Sequence, residues 1–204
     1  LNMPFQKLTI PKGYLWNEIE NLAKINGCYS EFTHPRQMAV ANDIGQFGDV
    51  FSLGHWGDVL FDSDVLEVES DDEVTTMLRK KIIKKGGLEL AENLWQHWGL
   101  EGDFQAYLNR RLLRLWNSIE ISNISAKLRA FKSLYWAPRW TSVNLAVFEN
   151  EKPIQLPYYD NRMCEFICTI SEVFLADRKI QIEYIKQQNP KIAKIVWQDV
   201  RPFN

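Results

Sequence analysis

The residues with the clearest potential for chemistry lie in a glycine-rich turn, Gly54-His55-Trp56-Gly57-Asp58. An apolar run at residues 50–53 predicts a short buried strand before this turn, and a new apolar segment opens directly after it. Glycine lets a backbone approach a ligand closely, and the N–H groups at the start of a helix attract anions. A strand, a glycine turn and a helix start in this order form ligand sites in α/β proteins, although similar turns also occur without a ligand.

The elements around this turn predict a parallel α/β unit. Residues 5–10 alternate in part between polar and apolar types, which predicts a first strand. Apolar residues at helical spacing predict a helix at residues 15–25, ended by Asn26-Gly27, and a second helix from Pro35 to about residue 46. A succession of strand, helix and strand is typical of a parallel sheet.

Beyond residue 62 the pattern predicts mostly helices. An acidic stretch at residues 62–73 is typical of a solvated surface, and the alternative is a Mg²⁺ site, because hard cations take carboxylate ligands. Ser70-x-x-Glu73 is a capping box, which predicts the start of a helix. Lysines followed by Gly86-Gly87 complement the helix dipole and predict the end of that helix.

One of the helices predicted between residues 88 and 135 carries an arginine face. Apolar residues line one side of residues 104–119, and Arg110, Arg111 and Arg114 lie on the other side. Arginines beside tryptophans can bind RNA. The net charge of −2 gives no general field for a nucleic acid. An ordinary exposed face is therefore favoured, and no nucleic-acid partner is expected.

The composition is typical of a globular protein, because apolar residues make up 46% of the 204 residues. No apolar run approaches the length of a transmembrane helix, and the first residues lack the pattern of a signal peptide. We therefore expect a cytoplasmic protein without a membrane partner. The start at Leu1, without an initiator methionine, indicates a piece of a longer protein.

The cysteines give no sign of a metal site. Cys164 and Cys168 are four residues apart on a predicted helix and face the same way. No further Cys or His cluster completes a set of ligands, so no metal site is predicted. Buried, reduced thiols are the favoured interpretation, and they suit the cytoplasm.

Residues 53–61 resemble a motif of the asparagine synthetase family, Ser-Gly-Glu-Gly-Gly/Ala-Asp-Glu-Leu-Phe. The chain reads Leu-Gly-His-Trp-Gly-Asp-Val-Leu-Phe, so two glycines, the aspartate and the final Leu-Phe match. Leu53, His55 and Trp56 stand where the family has a serine, an acid and a further glycine. The family's acid is tied to formation of the reaction intermediate, so its replacement by histidine bears on catalysis.

Two later segments follow in the family's order. Residues 156–160, Leu-Pro-Tyr-Tyr-Asp, resemble the family's Arg-x-Pro-Phe-Leu-Asp segment. Arg178-Lys179, before a predicted helix that ends at Asn189-Pro190, is similar to the family's Lys-x-x-Leu-Arg run. The resemblance therefore extends over most of residues 30–197.

The resemblance implies an α/β, helix-rich fold, with short parallel strands of an adenine-nucleotide alpha-hydrolase-like (PP-loop ATPase) sheet followed by a mainly helical C-terminal region. Residues 1–62 would form a partial α/β synthetase core, and residues 63–204 the helical part of the same domain. The implied activity is that of an asparagine synthase-like ligase. In that family ATP, assisted by Mg²⁺, adenylates a carboxylate such as aspartate, and ammonia then displaces AMP.

The resemblance also implies roles for the residues of the turn. Gly54 and Gly57 would give backbone access to the acyl-adenylate, and Trp56 would lie in the same binding turn. His55 would serve as a base in place of the acid or would only fill space, and the second is slightly favoured. Asp58 would cap the following helix or hold the turn.

Further site residues are expected outside the turn. Arg178 or Lys179 would oppose phosphate charge where the family has a lysine, and the spacing from Pro190 favours Arg178. Arg139 is a candidate by position only, in an aromatic stretch that either packs the helices or lines a pocket. Asp160 is a candidate from the second matching segment, although a role as a helix cap explains it equally well.

The family's phosphate loop, Ser-Gly-Gly-x-Asp-Ser, is not found in the sequence, and neither is an N-terminal cysteine nucleophile. Both are expected in an upstream part of the same polypeptide, so the chain alone is expected to be inactive. The alternative is a catalytically degenerate binding or structural module derived from a synthetase, which the residues at 53, 55 and 56 favour. An unrelated all-helical domain would require residues 50–53 to lie outside any parallel sheet.

Overall fold

A computed structural model describes residues 5–27, 35–61, 63 and 67–194. Helices account for most of these residues, and the described strands form one two-stranded parallel sheet. The chain divides into two compact units, each made of two separate stretches. The first unit comprises Leu1–His55 and Ala130–Asp160, and the second comprises Trp56–Arg129 and Asn161–Asn204. The sequence predicts a different division, between residues 62 and 63, which separates two parts of one synthetase domain. That division stays a prediction.

The first unit begins with helix α1 (Tyr14–Asn26), as the sequence predicts. Gly13 and Gly27 bound it with φ angles of 78° and 71°, a left-handed conformation that glycine adopts without steric cost. Residues 5–10 form no strand, and Phe5 is 90% exposed. The prediction of a strand there is wrong, because partial alternation does not make a strand without a neighbour to pair with.

The second predicted helix of this unit is broken into α2 (Pro35–Met38) and α3 (Ala41–Ile44). Val40 lies between them with a non-helical backbone (φ −129°, ψ 12°) and is buried. The expectation of one continuous helix to residue 46 is therefore wrong. Burial of the Val40 side chain accompanies the change of chain direction.

The sheet pairs β1 (Phe51–Ser52) with β2 (Ile154–Gln155) in parallel, and Phe51 lies opposite Ile154. The Phe51 N–H donates to the carbonyl of Pro153 at 2.9 Å, and the Leu53 N–H donates to that of Gln155 at 3.0 Å. The predicted parallel strand at residues 50–53 is confirmed, although only two residues form it. The all-helical alternative loses its support.

A long helical segment carries the aromatic residues between positions 131 and 140. Helix α8 (Ile124–Phe131) leads into a π-helical turn (Lys132–Trp136) and then into α9 (Ala137–Glu149). Pro138 explains the wide turn, since it has no N–H to donate and its ring clashes with the carbonyl four residues before it. The ring centroids of Trp136 and Trp140 stack at 5.7 Å, so part of the aromatic stretch packs within this helix.

The second unit begins with one helical turn, α4 (Gly57–Leu60), and continues with α5 (Asp71–Ile82). The predicted capping box of α5 is present: the Glu73 N–H donates to Ser70 Oγ at 3.3 Å, and Glu73 Oε2 accepts from the Ser70 N–H at 3.2 Å. Backbone N–H donors at Glu69 and Ser70 lower the pKa of Glu73 below its usual value. A carboxylate at this helix start is also favoured by the helix dipole.

The next helices are α6 (Lys85–His97) and α7 (Phe104–Asn117), which pack against each other. Gly86 and Gly87 lie in the first turn of α6, so the prediction that they end the preceding helix is wrong. Lys84 is extended (φ −74°, ψ 144°) and separates the two helices. Glycine is cheap in a first turn, where the N–H groups have no partner inside the helix.

The last part of the second unit contains α10 (Asn161–Cys168), α11 (Glu172–Leu175) and α12 (Lys179–Gln188). The predicted helix that carries Cys164 and Cys168 is α10, which ends at Cys168. The predicted helix that ends at Asn189-Pro190 is confirmed as α12. A 3₁₀ turn, Ile192–Lys194, follows it.

A polar network holds the second unit together. Both terminal nitrogens of Arg129 donate to the carboxylate of Glu172, and Ser63 Oγ donates to the same group at 2.7 Å. The side chains of Arg129 and Glu172 are 13% and 26% exposed, so the ion pair is largely shielded from water.

Among the described residues, no helix combines the length and the apolar character needed to cross a bilayer.

Candidate functional site

The carboxyl ends of β1 and β2 bring two of the sequence motifs together. Because the two strands are parallel and paired in register, the segments that follow them leave the sheet at the same edge. Leu53-Gly54-His55 follows β1, and residues 156–160 follow β2. Ligands of parallel α/β sheets bind at this kind of edge. The two segments, far apart in the sequence, thus form one candidate site within the first unit.

His55 lies at this edge and is half-buried. Its ring centroid is 6.4 Å from that of Phe148 in an edge-to-face arrangement, and Phe51 packs against the same ring at 5.7 Å. The aromatic contact positions the imidazole. A neutral imidazole is an acceptor and a donor, whereas the family's carboxylate only accepts hydrogen bonds.

The segment after β2 is anchored by a hydrogen bond to α9. The Tyr159 hydroxyl donates to Thr141 Oγ1 at 3.1 Å. Thr141 is 5% exposed, and Asn144 lies one turn further along α9 at 2%. Asn144 Nδ2 donates to the carbonyl of Trp140 at 3.0 Å, and its Oδ1 has no hydrogen-bond partner among the described residues.

Thr141 and Asn144 were not singled out from the sequence, because they stand in a helix dominated by aromatic and apolar residues. The signal that could have found them is two polar residues three apart on one helix face. Buried polar groups are nearly always hydrogen-bonded, so an amide oxygen without a partner is a feature to explain.

Gly54 and Trp56 differ from what the resemblance implies. An added Cβ at Gly54 would meet nothing within 4 Å, so close approach of other atoms does not require glycine there. Trp56 has a φ of 74° and is 6% exposed. Trp56 therefore has a left-handed backbone at the position where the family motif has glycine. For residues other than glycine this conformation costs about 1–2 kcal/mol of conformational energy.

Gly57 and Asp58 belong to the single turn of α4. Gly57 is buried, and Asp58 is exposed in the first turn. Trp56 occupies the N-cap position without a side-chain cap, and its carbonyl accepts from the N–H groups of Val59 and Leu60 at 3.0 and 2.9 Å. The expectation that Asp58 caps this helix is therefore wrong, because the helix begins one residue earlier.

Arg178 lines a cavity of about 340 Å³ in the second unit, and three of the seven residues that line it are isoleucines. Its backbone is left-handed (φ 57°), as is that of Asp177 (φ 54°). Consecutive residues in this region store strain, which is often found at functional positions. Lys179 begins α12 and is exposed, and it does not line the cavity. The further residues around the cavity are Gln181, Ile182, Ile185, Lys186, Ile192 and Ala193.

Arg139 and Asp160 both lie near the start of a helix. Arg139 is exposed, and its Nη1 donates at 2.5 Å to the carbonyl of Tyr135, a group of the widened turn before Pro138. Asp160 is half-buried and directly precedes α10, in the position of a cap. Neither observation assigns a ligand to these residues.

The candidate residues are distributed over both units. Gly54, His55, Arg139 and Asp160 belong to the first unit, and Trp56, Gly57, Asp58, Arg178 and Lys179 belong to the second. In the part of the chain that the structure describes, no three His, Cys, Asp or Glu side chains converge on a point that would hold a metal ion. The sequence also lacks the family's phosphate loop.

Comparison of the chain with family models, with characterised proteins and with solved structures found no match. The resemblance to asparagine synthetases therefore rests on the motif residues and on the arrangement of their segments.

Proposed function

We propose that the chain is part of an asparagine synthase-like amidoligase, which activates a carboxylate as an acyl-adenylate and converts it to an amide. The observation that supports this is the meeting of residues 53–55 and 156–160 at one edge of a parallel sheet. Both segments resemble motifs of the same family, and they follow each other in the family's order.

Helix α9, which the Tyr159–Thr141 hydrogen bond joins to the segment after β2, carries groups suited to a small carboxylate such as aspartate. Where the Thr141 hydroxyl accepts from Tyr159, its own proton is left to donate. The buried Oδ1 of Asn144, one turn away on the same helix, can accept from a substrate amine or amide. Positioning of this kind, together with exclusion of water, is what a carboxylate-activating site requires.

We also propose that the fold is of the PP-loop ATPase type and that the reaction uses ATP, as in the resembled family. ATP and Mg²⁺ would be held by an upstream part of the same polypeptide, since the chain's described residues supply neither a phosphate loop nor a carboxylate cluster. The enzyme would work in the cytoplasm, where free thiols such as Cys164 and Cys168 stay reduced. The expectation that both thiols are buried is wrong, because Cys164 is half-buried and Cys168 is exposed.

A second candidate is a catalytically degenerate module that retains the synthetase shape and binds a ligand or partner. Trp56 favours it, because an indole occupies the position of a glycine in the turn. His55 also favours it, since its ring packs against Phe148 and it lacks the negative charge of the family's acid.

The decisive experiment measures pyrophosphate release by the complete gene product with Mg-ATP, with and without aspartate and ammonia. Release that depends on aspartate supports the amidoligase. No release with aspartate or other small carboxylates supports the degenerate module.

A matched pair of variants locates the difference at the turn. His55→Glu restores the family's acid, whereas His97→Glu makes the same change at an exposed position near the end of α6. If His55 is the defect, only His55→Glu gives aspartate-dependent release. Equal rates of aspartate-dependent pyrophosphate release in the two variants would show that the residue at position 55 does not determine activity.

A further inference from the structure

The outer face of α7 carries three arginines around one aromatic ring. Tyr107, Arg110, Arg111 and Arg114 together line a surface depression of about 450 Å³, and all four are exposed. This volume is within the range of small-molecule sites, roughly 300–1,000 Å³. The depression shares no residue with the sheet edge of the first unit.

The positive charge of this face is not neutralised by the protein. Within residues 67–194, Arg110 and Arg114 form no ion pair and no hydrogen bond, and Arg111 donates only to the Tyr107 hydroxyl, at 3.0 Å. Like charges three and four residues apart destabilise a helix. The helix dipole accounts for Arg114 in the last turn, but it does not account for the other two.

Tyr107 is held as a fixed platform beside the arginines. Its ring centroid is 4.9 Å from that of Trp95 on α6, and Trp95 is fixed in turn by a hydrogen bond from Nε1 to the carbonyl of Gly102, at 3.1 Å. With Trp95 behind it and Arg111 on its hydroxyl, the ring stays 38% exposed. A rigid, partly exposed ring next to guanidinium groups suits a ligand with a planar ring and a phosphate.

We propose that this face of α7 binds a nucleotide, with its base on Tyr107 and its phosphate between Arg110 and Arg114. The nucleotide is either free or part of a single-stranded nucleic acid, since both present the same base and phosphate. The net charge of −2 describes the whole chain, whereas binding depends on the local field of the three arginines.

The test is isothermal titration of the chain with adenosine monophosphate and, separately, with an oligouridine RNA, at low and at raised ionic strength. Binding of the monophosphate identifies a free nucleotide as the source, and binding of the RNA alone identifies a nucleic acid. Either affinity should fall as salt rises. If neither probe binds at low salt, the proposal is overturned.

Variants separate a built site from general charge. Arg110→Gln with Arg114→Gln should raise Kd about tenfold or more, because each guanidinium makes charge-assisted hydrogen bonds to phosphate. Lys80→Gln with Lys84→Gln removes the same charge from exposed positions of the same unit and should leave Kd nearly unchanged. Equal losses in the two pairs would overturn the proposal.

A charge-conserving pair tests the geometry of the arginines. Arg110→Lys with Arg114→Lys keeps the charge but lacks the planar fork, so it should still weaken binding. Full affinity in this pair would contradict a site built for phosphate. All the substituted side chains are exposed, and circular dichroism should show unchanged helix content.

Discussion

Replacement of Glu172 by glutamine should reduce the free energy of unfolding of the second unit by about 2–3 kcal/mol. Removing one partner of a fully buried ion pair costs about 3–5 kcal/mol, and exposed pairs contribute about 0–1 kcal/mol. Arg129 and Glu172 are 13% and 26% exposed, which places this pair between the two limits, nearer the buried one. The variant keeps the shape of the side chain and removes the negative charge that Glu172 presents to Arg129.

The loss should depend on pH. The hydrogen bonds from Arg129 lower the pKa of Glu172, burial opposes this shift, and the hydrogen bond from Ser63 and the charge of Arg129 add to it. Because the folded pKa lies below the unfolded value, the carboxylate stabilises the protein above the unfolded pKa, and this stabilisation disappears as pH falls through the folded pKa. The difference between wild type and Glu172→Gln should therefore be complete at neutral pH and vanish in acid.

Urea unfolding followed by circular dichroism measures the change, with two controls. Glu183→Gln breaks the ion pair with Lys186, in which both side chains are more than half exposed, and should cost less than about 0.5 kcal/mol. Ser63→Ala removes a single hydrogen bond to Glu172 and should cost about 1 kcal/mol. If Glu172→Gln costs no more than Glu183→Gln at neutral pH, the reasoning from burial is refuted.

Substitutions at three further positions test the packing, the capping and a side-chain hydrogen bond. Trp56→Ala should lower the free energy of unfolding in urea by about 3–5 kcal/mol, because the indole is buried. Trp56→Gly should lower it by about 1 kcal/mol less, because glycine adopts the positive φ without strain. A glycine variant less stable than the alanine variant would contradict the strain. Ser70→Ala should cost about 1 kcal/mol and speed amide exchange at Glu73, and unchanged exchange would count against the capping box. Tyr159→Phe should cost about 1 kcal/mol through its bond to Thr141, and wild-type stability would show that bond to be dispensable.

Local signals predicted the bounds of α1 and the start of α5. Glycines bound α1, and the capping box at Ser70 begins α5, because each is a short-range interaction between neighbouring residues. The wrong strand prediction depends on a partner that is distant in sequence. Residues 5–10 have the alternation of a strand but no strand beside them, whereas β1 is a strand because Ile154 lies opposite Phe51.

The candidate site was predictable only in part. The motifs located the two segments that meet at the sheet edge, since the resemblance preserved their order. Thr141 and Asn144 were missed because their polar groups are buried by the fold of α9, which spacing does not reveal. The left-handed backbone of Arg178 was equally invisible, because glycine is the usual sign of that conformation and is absent there.

The interleaved order of the two units has a consequence for synthesis of the protein. β1 emerges from the ribosome long before β2, and the whole stretch Trp56–Arg129 is translated in between. Until Gln155 is available, the nascent chain carries an unpaired strand beside the exposed aromatic ring of Phe51. Exposed edges of this kind invite aggregation, and pairing over a long separation is slow. The sheet forms only after Gln155 has been translated, so chaperone binding should be concentrated on nascent chains that end before residue 155.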